Sequence, residues 1–245
     1  MIRRLEELCL TAWPALRTAY DDGWVLRFAG GHTGRANAVS FLAPGQGPLG
    51  PRVDHAEAAY RRQGLRPVFR ITPLAPDGLE EELDRRGYDR YQPTLVQAAG
   101  LGGIAAPEGT TLAPALEEGW ISAYLGMVEV PEAERPAMRG ILAAISPPTL
   151  YAAALAGDGT PAALALGVVD RGWVGVFKVA ARPDLRGRGH AGRAVAAVMA
   201  GARAMGADRA YLQVAAANAP ALRVYARLGF RDAYAYHYRR GISTQ

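Results

Sequence analysis

Apolar residues beyond position 190 recur at the spacing of one face of a helix. They stand at Ala191, Ala194, Val195, Val198, Met199, Ala202 and Met205. Arg193 and Arg203 lie off this face, as expected of a helix with one buried and one solvated side. Residues 211–215 instead alternate, which is typical of a half-buried strand. The segment 173–230 therefore predicts a strand, a loop, a helix, a strand and a second helix.

The same reasoning divides the rest of the chain into elements. Before residue 99 we expect helices near 2–10, 52–63 and 77–86 and strands near 15–20, 23–29, 36–42, 67–72 and 88–98. After a linker at 99–109 that is rich in Gly and Ala, we expect helices near 115–128 and 132–144 and strands near 149–156, 161–170 and 173–180. Turn sequences at 157–159 and 170–172 predict that these three strands form hairpins.

The two halves of the chain are weakly similar, in the same order of parts. Residues 56–72 parallel 194–214, and residues 83–88 parallel 225–230. This repeat predicts an α/β (α+β) protein of two units, 1–103 and 104–245, each with a mixed, mostly antiparallel sheet flanked by helices. On this alignment Leu83 stands in the place of Tyr225 and Pro76 in that of Asn218. The first unit therefore reads as a degenerate copy that keeps the scaffold.

Composition restricts the class of protein. Half of the 245 residues are hydrophobic, yet no apolar run approaches the roughly 20 residues that span a membrane. Acidic residues interrupt the first eight positions, where a secretory signal needs an apolar stretch. We therefore expect a cytoplasmic protein with no membrane partner. Cys9 is the single cysteine and the four histidines show no ligand spacing, so we expect no intrachain disulfide and no metal.

The net charge of +5 comes almost entirely from arginine, because Lys178 is the only lysine. A positive surface favours anionic ligands. The arginine pairs at 61–62, 85–86 and 239–240 are scattered along the chain and form no single basic run. We therefore expect no nucleic-acid partner, and a nucleic-acid-binding protein stays an alternative on the strength of the charge alone.

The loop before the helix at 190 has the composition of a phosphate-binding segment. It reads Arg186-Gly187-Arg188-Gly189. A helix start offers N–H groups without intrahelical partners and the positive end of the helix dipole. Glycine allows the backbone to approach an anion, and arginine adds charge. A second glycine-rich loop at 44–51 lacks the equivalent arginine and carries prolines without N–H donors, so we interpret it as a turn, with Pro51 opening the next helix.

These residues carry a resemblance to a known family. Arg186-x-x-Gly189-x-Ala191 resembles the acyl-CoA loop of the GNAT superfamily of N-acetyltransferases. The superfamily's second signature is matched at Asn218, Ala221, Tyr225, Gly229 and Phe230. The resemblance covers approximately residues 105–240. It implies an acetyl-CoA-dependent N-acetyltransferase in the second unit, and a looser resemblance of the first unit to two-unit GNAT proteins.

The resemblance also implies a place for each part of acetyl-CoA. The backbone N–H groups of Val179, Ala180 and Ala181 would hold the pantetheine arm and polarise the acetyl carbonyl. The N–H groups that would bind the pyrophosphate are those of Arg186, Gly187, Arg188, Gly189, His190, Ala191 and Gly192. Asn218 would contact the arm. Tyr225 would be the general acid for the departing thiolate, since a phenol stays protonated at neutral pH.

Other interpretations of these side chains stay open at this stage. Tyr225 also fits a core aromatic, and Asn218 also fits a helix cap. Trp120 and Tyr124, four residues apart, either line the acceptor pocket or pack in the core. The general base is unassigned, because the remaining candidates fit solvated surface groups equally well: His190, His237, Glu129, Glu132 and Asp170.

The reaction that we expect is direct attack of a primary amine on acetyl-CoA in a ternary complex, without a covalent intermediate on Cys9. The partner would be an amine-bearing small molecule or peptide, whose identity stays open. We expect a monomer or homodimer. The alternative is a catalytically silent acyl-CoA-binding or regulatory module.

Overall fold

Seven α-helices and eleven β-strands make up the part of the chain that the computed structural model describes, residues 1–241. The helices are α1 (Ile2–Ala12), α2 (Leu49–Arg62), α3 (Leu79–Arg85), α4 (Glu118–Met127), α5 (Arg135–Ala143), α6 (His190–Ala204) and α7 (Ala219–Arg227). The strands are β1 (Arg17–Asp21), β2 (Trp24–Phe28), β3 (Ser40–Phe41), β4 (Val68–Ile71), β5 (Asp89–Gly100), β6 (Thr110–Ala113), β7 (Thr149–Leu155), β8 (Pro161–Asp170), β9 (Trp173–Ala181), β10 (Arg209–Ala215) and β11 (Arg231–Arg240). Helices and strands are interspersed throughout, which confirms the predicted α/β class.

By their contacts the residues form two compact units that are interleaved in the sequence. The first comprises Met1–Leu95, Glu132–Ala144 and the segment that begins at Tyr234, and the second comprises Val96–Pro131 and Ile145–Ala233. Strands β5 and β11 contribute residues to both. The boundary predicted between residues 103 and 104 did not include this interleaving. The assignment of 1–103 and 104–245 as domains stays a prediction.

The first unit has an antiparallel sheet of β1, β2 and β3, and β4 pairs antiparallel with β11. Its core is apolar and aromatic, with Trp24 packed edge to face on Phe41 at a centroid distance of 5.2 Å. Leu83 is fully buried in this core. The residue that stands in the place of Tyr225 in the repeat therefore serves packing.

The predicted strand at 36–42 is wrong in its first half. A 3-10 turn at Gly34–Ala36 precedes the two-residue strand β3. The cause is the buried side chain of Asn37, whose Oδ1 accepts the backbone N–H of Ala29 at 2.7 Å and whose Nδ2 donates to the carbonyl of His32 at 2.8 Å. A side chain that bonds local backbone competes with strand pairing.

The loop at 44–51 forms a closed turn. The guanidinium of Arg52 donates to the carbonyls of Pro44 at 2.9 Å and Asp21 at 2.7 Å. A Cβ added at Gly45 would clash with that guanidinium. The predicted turn is confirmed, although α2 begins at Leu49, two residues before Pro51.

The second unit is built on a mixed sheet in which β6, β7, β8 and β9 are antiparallel and β10 is parallel to β9. Both hairpins form as predicted. At the β8–β9 turn, Arg171 and Gly172 have φ of 49° and 81°, the left-handed pair that a two-residue turn requires. The short strand β6 follows the predicted linker and was not predicted, because its four residues show no clear alternation of apolar and polar side chains.

Helix α6 packs its small and branched residues on this sheet. Its buried residues are Ala194, Val195, Ala196, Ala197, Val198, Met199 and Ala202. The close approach of α6 to β8 depends on glycine, since a Cβ at Gly167 of β8 would clash with Val198 of α6. Met205 was expected on the buried face but is 47% exposed, because the helix ends at Ala204.

Candidate active site

Strand β9 carries a bulge just before the predicted phosphate loop. Its register with β8 pairs Leu166 with Phe177 but Leu164 with Ala180, so two residues of β9 oppose one of β8. The first of the two is Lys178, whose φ of 50° is rare for a residue with a side chain. Such a conformation costs about 1–3 kcal/mol and persists only where its surroundings require it.

Strands β9 and β10 also separate at this point. Their parallel pairing ends at Leu212 opposite Val176, although both strands continue beyond it. Residues 179–181 of β9 therefore lie beyond the paired part of these two strands. A strand edge of this kind presents N–H and C=O groups to a ligand.

The loop after β9 leads into α6 as predicted. Gly187 and Gly189 have φ of 78° and 82°, and a Cβ added at either would meet no atom within 4 Å. The N–H of Arg193 donates to the carbonyl of Gly189 at 3.1 Å, so the N–H groups of residues 190–192 precede the helical ladder. The mouth of this helix is thus open, with donors that an anion can use.

These segments meet at one cavity of about 660 Å³ in the second unit. The predicted residues in its wall are Val179, Ala180, Ala181, Arg186, Gly187, Gly189, His190, Ala191, Gly192, Asn218 and Tyr225. Arg188 does not line the cavity and is exposed. The structure therefore brings together every predicted site residue except Arg188, while their individual roles stay predictions.

Charge is unevenly distributed in this wall. Arg186, Arg223 and Arg227 line it, and its described residues include no Asp or Glu. The basic residues belong to the loop and to α7, which packs on the first turn of α6 through Val224 and Gly192. The residues from β9 and from the end of α4 are uncharged: Met127, Val128, Val179, Ala180 and Ala181.

His190, in the first turn of α6, is held by a neighbouring arginine. Its Nδ1 lies 2.7 Å from a guanidinium nitrogen of Arg193, which also donates to the carbonyl of Leu155 at 2.7 Å. Because arginine only donates, Nδ1 accepts, and the ring proton is on Nε2. Burial, then the charges of Arg193 and Arg188, lowers the pKa of His190 below its usual value. The imidazole is therefore neutral at pH 7 and keeps one N–H donor, on Nε2.

Helix α7 combines a cap at its start with a tyrosine in its last turn. Asn218 Oδ1 accepts the backbone N–H of Ala221 at 3.2 Å, which confirms the capping interpretation. Tyr225 is only 8% exposed and packs edge to face on Phe230 at 5.9 Å, yet it lines the cavity. Gly229, with φ of 85°, ends this segment, and the Phe230 N–H returns to the Tyr225 carbonyl at 3.1 Å. Tyr225 therefore both packs in the core and lines the cavity.

Trp120 and Tyr124 are buried and stacked in parallel, with centroids 5.6 Å apart. Trp120 Nε1 donates to the carbonyl of Ala152 at 3.2 Å, which fixes the indole. The ammonium of Lys178 lies 5.0 Å from the centroid of the Tyr124 ring, within the range of a cation–π interaction. The pair thus packs in the core of the second unit and also holds the lysine of the β9 bulge.

The remaining candidates for a catalytic role have the surroundings of ordinary surface or core residues. Glu129 and Glu132 are exposed, and Asp170 accepts a hydrogen bond from Arg171 at 3.0 Å. His237 is buried in the first unit and lies 2.8 Å from Glu80. Burial, followed by the charge of Glu6, raises the pKa of Cys9 to about 12. None of these side chains is in the cavity wall, and the general base stays unassigned.

Comparison with known proteins identifies the family. A family model described as "Probable histone acetyltransferase Rv0428c C-terminal" matches residues 1–239. The chain belongs to this acetyltransferase family. The match spans both units, whereas the sequence signatures were confined to the second.

Other N-acetyltransferases resemble the chain in sequence or in fold. "Uncharacterized N-acetyltransferase YobR" of Bacillus subtilis (strain 168) is 25% identical over 244 residues, which cover 97% of this chain and 98% of YobR. The GCN5-related N-acetyltransferase from Kribbella flavida has a TM-score of 0.70 at 18% identity, covering 99% of this chain and 96% of its own. A tandem GNAT protein from the clavulanic acid biosynthesis pathway has a TM-score of 0.59 at 14% identity, covering 98% and 89%. The protein is therefore a GNAT-type N-acetyltransferase.

The sequence signatures did not point to several residues of the cavity wall. Those residues are Met127, Val128, Leu185, Pro220, Arg223, Val224 and Arg227. Arg223 and Arg227 are four positions apart on α7, a spacing that places both on one helix face, so their pairing was available from the sequence. Met127 and Val128 depend on the packing of α4, for which the sequence carries no signal. No helix among the described residues is long and apolar enough to cross a bilayer.

Proposed function

We propose that this acetyltransferase transfers an acetyl group from acetyl-CoA to a primary amine by direct attack in a ternary complex. The observation that carries the proposal is that one cavity has both signature segments and the splayed end of β9 in its wall. Arg186, Gly187 and Gly189 are exposed, so the packing of a core does not account for their position there. A ligand site does.

The residues present fit the chemistry of acetyl-CoA. On the loop side, the N–H groups at the start of α6 and the guanidinium of Arg186 suit the pyrophosphate. On the β9 side the wall is uncharged and includes backbone groups beyond the end of the β9–β10 pairing, which suit an amide-containing arm. The proposed holders of the phosphates are Arg186, Gly187, Gly189, His190, Ala191 and Gly192, with Arg188 contributing charge from outside the wall.

Acetyl-CoA would supply the acetyl group as an activated thioester. The N–H groups of Val179, Ala180 and Ala181 would hold the arm and polarise the carbonyl that the amine attacks. Tyr225 would keep its proton on Oη at neutral pH and donate it to the leaving sulfur. Asn218 would hold the first turn of α7 and, through its amide, contact the arm. The wall contains no described carboxylate to deprotonate the amine before attack, so the amine would have to arrive neutral. After attack the nitrogen would release its surplus proton to the Tyr225 phenolate, directly or through water, which restores the phenol.

Calorimetry with acetyl-CoA tests the binding step. We expect a one-to-one complex that Gly189→Glu abolishes, because a carboxylate at the mouth of α6 repels the phosphates. Gly206→Glu is the matched control, since Gly206 also has positive φ, at 90°, with no atom within 4 Å of an added Cβ, and does not line the cavity. Equal loss of binding in both variants, or no binding by the unmodified chain, would contradict the proposal.

Release of CoA in the presence of amines tests the transfer step. A panel of amino acids, small amines and peptides, including a basic histone-like peptide as the family description suggests, covers the acceptor classes. Direct attack predicts that initial-rate lines for varied acetyl-CoA and amine intersect. Tight binding of acetyl-CoA with no transfer to any acceptor would instead indicate a silent acyl-CoA-binding module. A cytoplasmic location and a monomeric or homodimeric state stay predictions.

A further inference from the structure

Two arginines of α7 line the cavity and have no partner among residues 1–241. Arg223 and Arg227 are exposed, and neither guanidinium forms a hydrogen bond or an ion pair with that part of the chain. They differ in this from Arg231, which follows the helix and donates to the carbonyls of Ala226 at 3.4 Å and Phe230 at 2.9 Å. The two cavity arginines therefore have donors and charge that a ligand can use.

The packing of α7 brings these arginines to the phosphate end of the cavity. Val224, between them in the sequence, contacts the first turn of α6, since a Cβ added at Gly192 would lie 3.5 Å from its Cγ1. The start of α6 and the guanidinium of Arg186 are the groups that suit a pyrophosphate. Residues four apart lie on one helix face with roughly 5–6 Å between their Cβ atoms. Arg223 and Arg227 can therefore reach the same anion.

We infer that Arg223 and Arg227 bind the 3′-phosphate on the ribose of CoA, and so make the enzyme selective for CoA over dephospho-CoA, which lacks that phosphate. This inference rests on the proposed function, because it takes acetyl-CoA as the occupant of the cavity. In CoA the phosphorylated ribose is joined directly to the pyrophosphate, so a third phosphate lies close to wherever the pyrophosphate binds. A phosphate monoester carries a charge of about −1.5 to −2 at pH 7 and three acceptor oxygens. Two guanidinium groups match it in charge and in donors.

A structural role accounts poorly for this pair. Like charges four residues apart disfavour a helix. Arg227 is in the last turn, where a cation suits the helix dipole, but Arg223 is in the middle of the nine-residue helix. Tyr225, two positions from each, points to a different side of α7, so the proposed proton donor and the arginines can serve different parts of one ligand. The wall is uncharged at β9, where acetyl transfer is proposed, so the arginines belong to the nucleotide end.

Calorimetry with CoA and dephospho-CoA tests this inference without turnover. We expect the unmodified protein to bind CoA at least tenfold more tightly than dephospho-CoA. This ratio should fall in Arg223→Gln and in Arg227→Gln, and it should be below threefold when both changes are combined. Replacing both arginines with lysine keeps the charges and should keep part of the ratio. Arg231→Gln is the matched control, because it removes a nearby positive charge outside the cavity wall and should leave the ratio unchanged.

Initial rates with acetyl-CoA and acetyl-dephospho-CoA provide a second readout. Loss of the phosphate, or of both arginines, should raise the KM for the donor at least tenfold and leave kcat within threefold, because a contact remote from the thioester is equally strong before and during transfer.

Several results would overturn the inference and leave the proposed function standing. They are equal affinity for CoA and dephospho-CoA, a ratio that persists in the double variant, and a ratio that falls as far in Arg231→Gln as in either single variant. A double variant in which only the KM for the amine rises would instead assign the arginines to an anionic acceptor. Failure of the unmodified protein to bind acetyl-CoA would overturn both the inference and the proposed function.

Discussion

Asn218 caps the helix that carries Tyr225 by accepting the N–H of Ala221 at 3.2 Å. Replacing Asn218 with Ala should lower the free energy of unfolding by about 1 kcal/mol, because that N–H loses its partner. Asn218→Ser keeps a capping oxygen and should be nearly as stable as the unmodified chain. Calorimetry with acetyl-CoA then separates the two roles of Asn218. Weaker binding in both variants means that the amide contacts the arm, whereas normal binding in the Ser variant means that Asn218 is a cap only.

Tyr225→Phe should reduce kcat by about 10²–10⁴, the usual contribution of a positioned general acid, while acetyl-CoA affinity changes little. The ring remains to pack on Phe230, so the fold is kept. Tyr151→Phe, a change of the same kind at a buried tyrosine outside the cavity wall, is the control. An unchanged kcat in Tyr225→Phe would indicate that Tyr225 has only a structural role.

Gly189→Asn should weaken acetyl-CoA binding at least tenfold without unfolding the chain. Asparagine tolerates the left-handed conformation that Gly189 adopts, but its side chain would occupy the mouth of α6. Gly206→Asn places an asparagine in the same left-handed conformation outside the cavity, and this variant should bind acetyl-CoA normally. Thermal unfolding of the two variants should agree, and a loss of affinity shared by both would indicate a general effect on the fold.

Cys9 should react slowly with thiol reagents at pH 8 in the native protein and rapidly in urea. Burial raises its pKa to about 12, so the native thiol is protonated there. Unfolded Cys9 ionises near pH 9, whereas the native thiol ionises only near pH 12. Burial of the protonated thiol therefore adds fully to the free energy of unfolding below pH 9, and this contribution is lost as the pH rises toward 12. Fast native labelling together with loss of activity would reopen a covalent mechanism.

The buried pair of Glu6 and Arg70 should be sensitive to loss of one partner. Glu6 is 0% and Arg70 2% exposed, and the Glu6 carboxylate accepts two guanidinium hydrogen bonds as well as the hydroxyl of Tyr234. Glu6→Gln leaves a buried cation without its counter-charge and should cost about 3–5 kcal/mol. Glu7→Gln, which removes the exposed pair with Arg3 on the same helix, should cost less than about 1 kcal/mol. Urea denaturation that shows equal effects would contradict this ranking.

The sequence predicted the elements well where side-chain period and turn chemistry agreed. The hairpin at Arg171 and Gly172 and the helix that begins at His190 required no tertiary information. The cavity-lining positions of Val179–Ala181 followed from the resemblance, because backbone groups leave no side-chain signature. The sequence could not place the bulge at Lys178, since a register shift depends on the strand opposite. Nor could it place Met127 in the cavity wall, which depends on how α4 packs.

The setting of the one lysine in the β9 bulge makes it a built-in reporter. An amine-reactive probe can modify only Lys178 and the amino terminus, so two peptides account for all labelling. Protection of Lys178 from such a probe can then be followed by mass spectrometry as acetyl-CoA or a candidate acceptor is added. The bulge thus allows binding that changes the surroundings of Lys178 to be measured on unmodified protein.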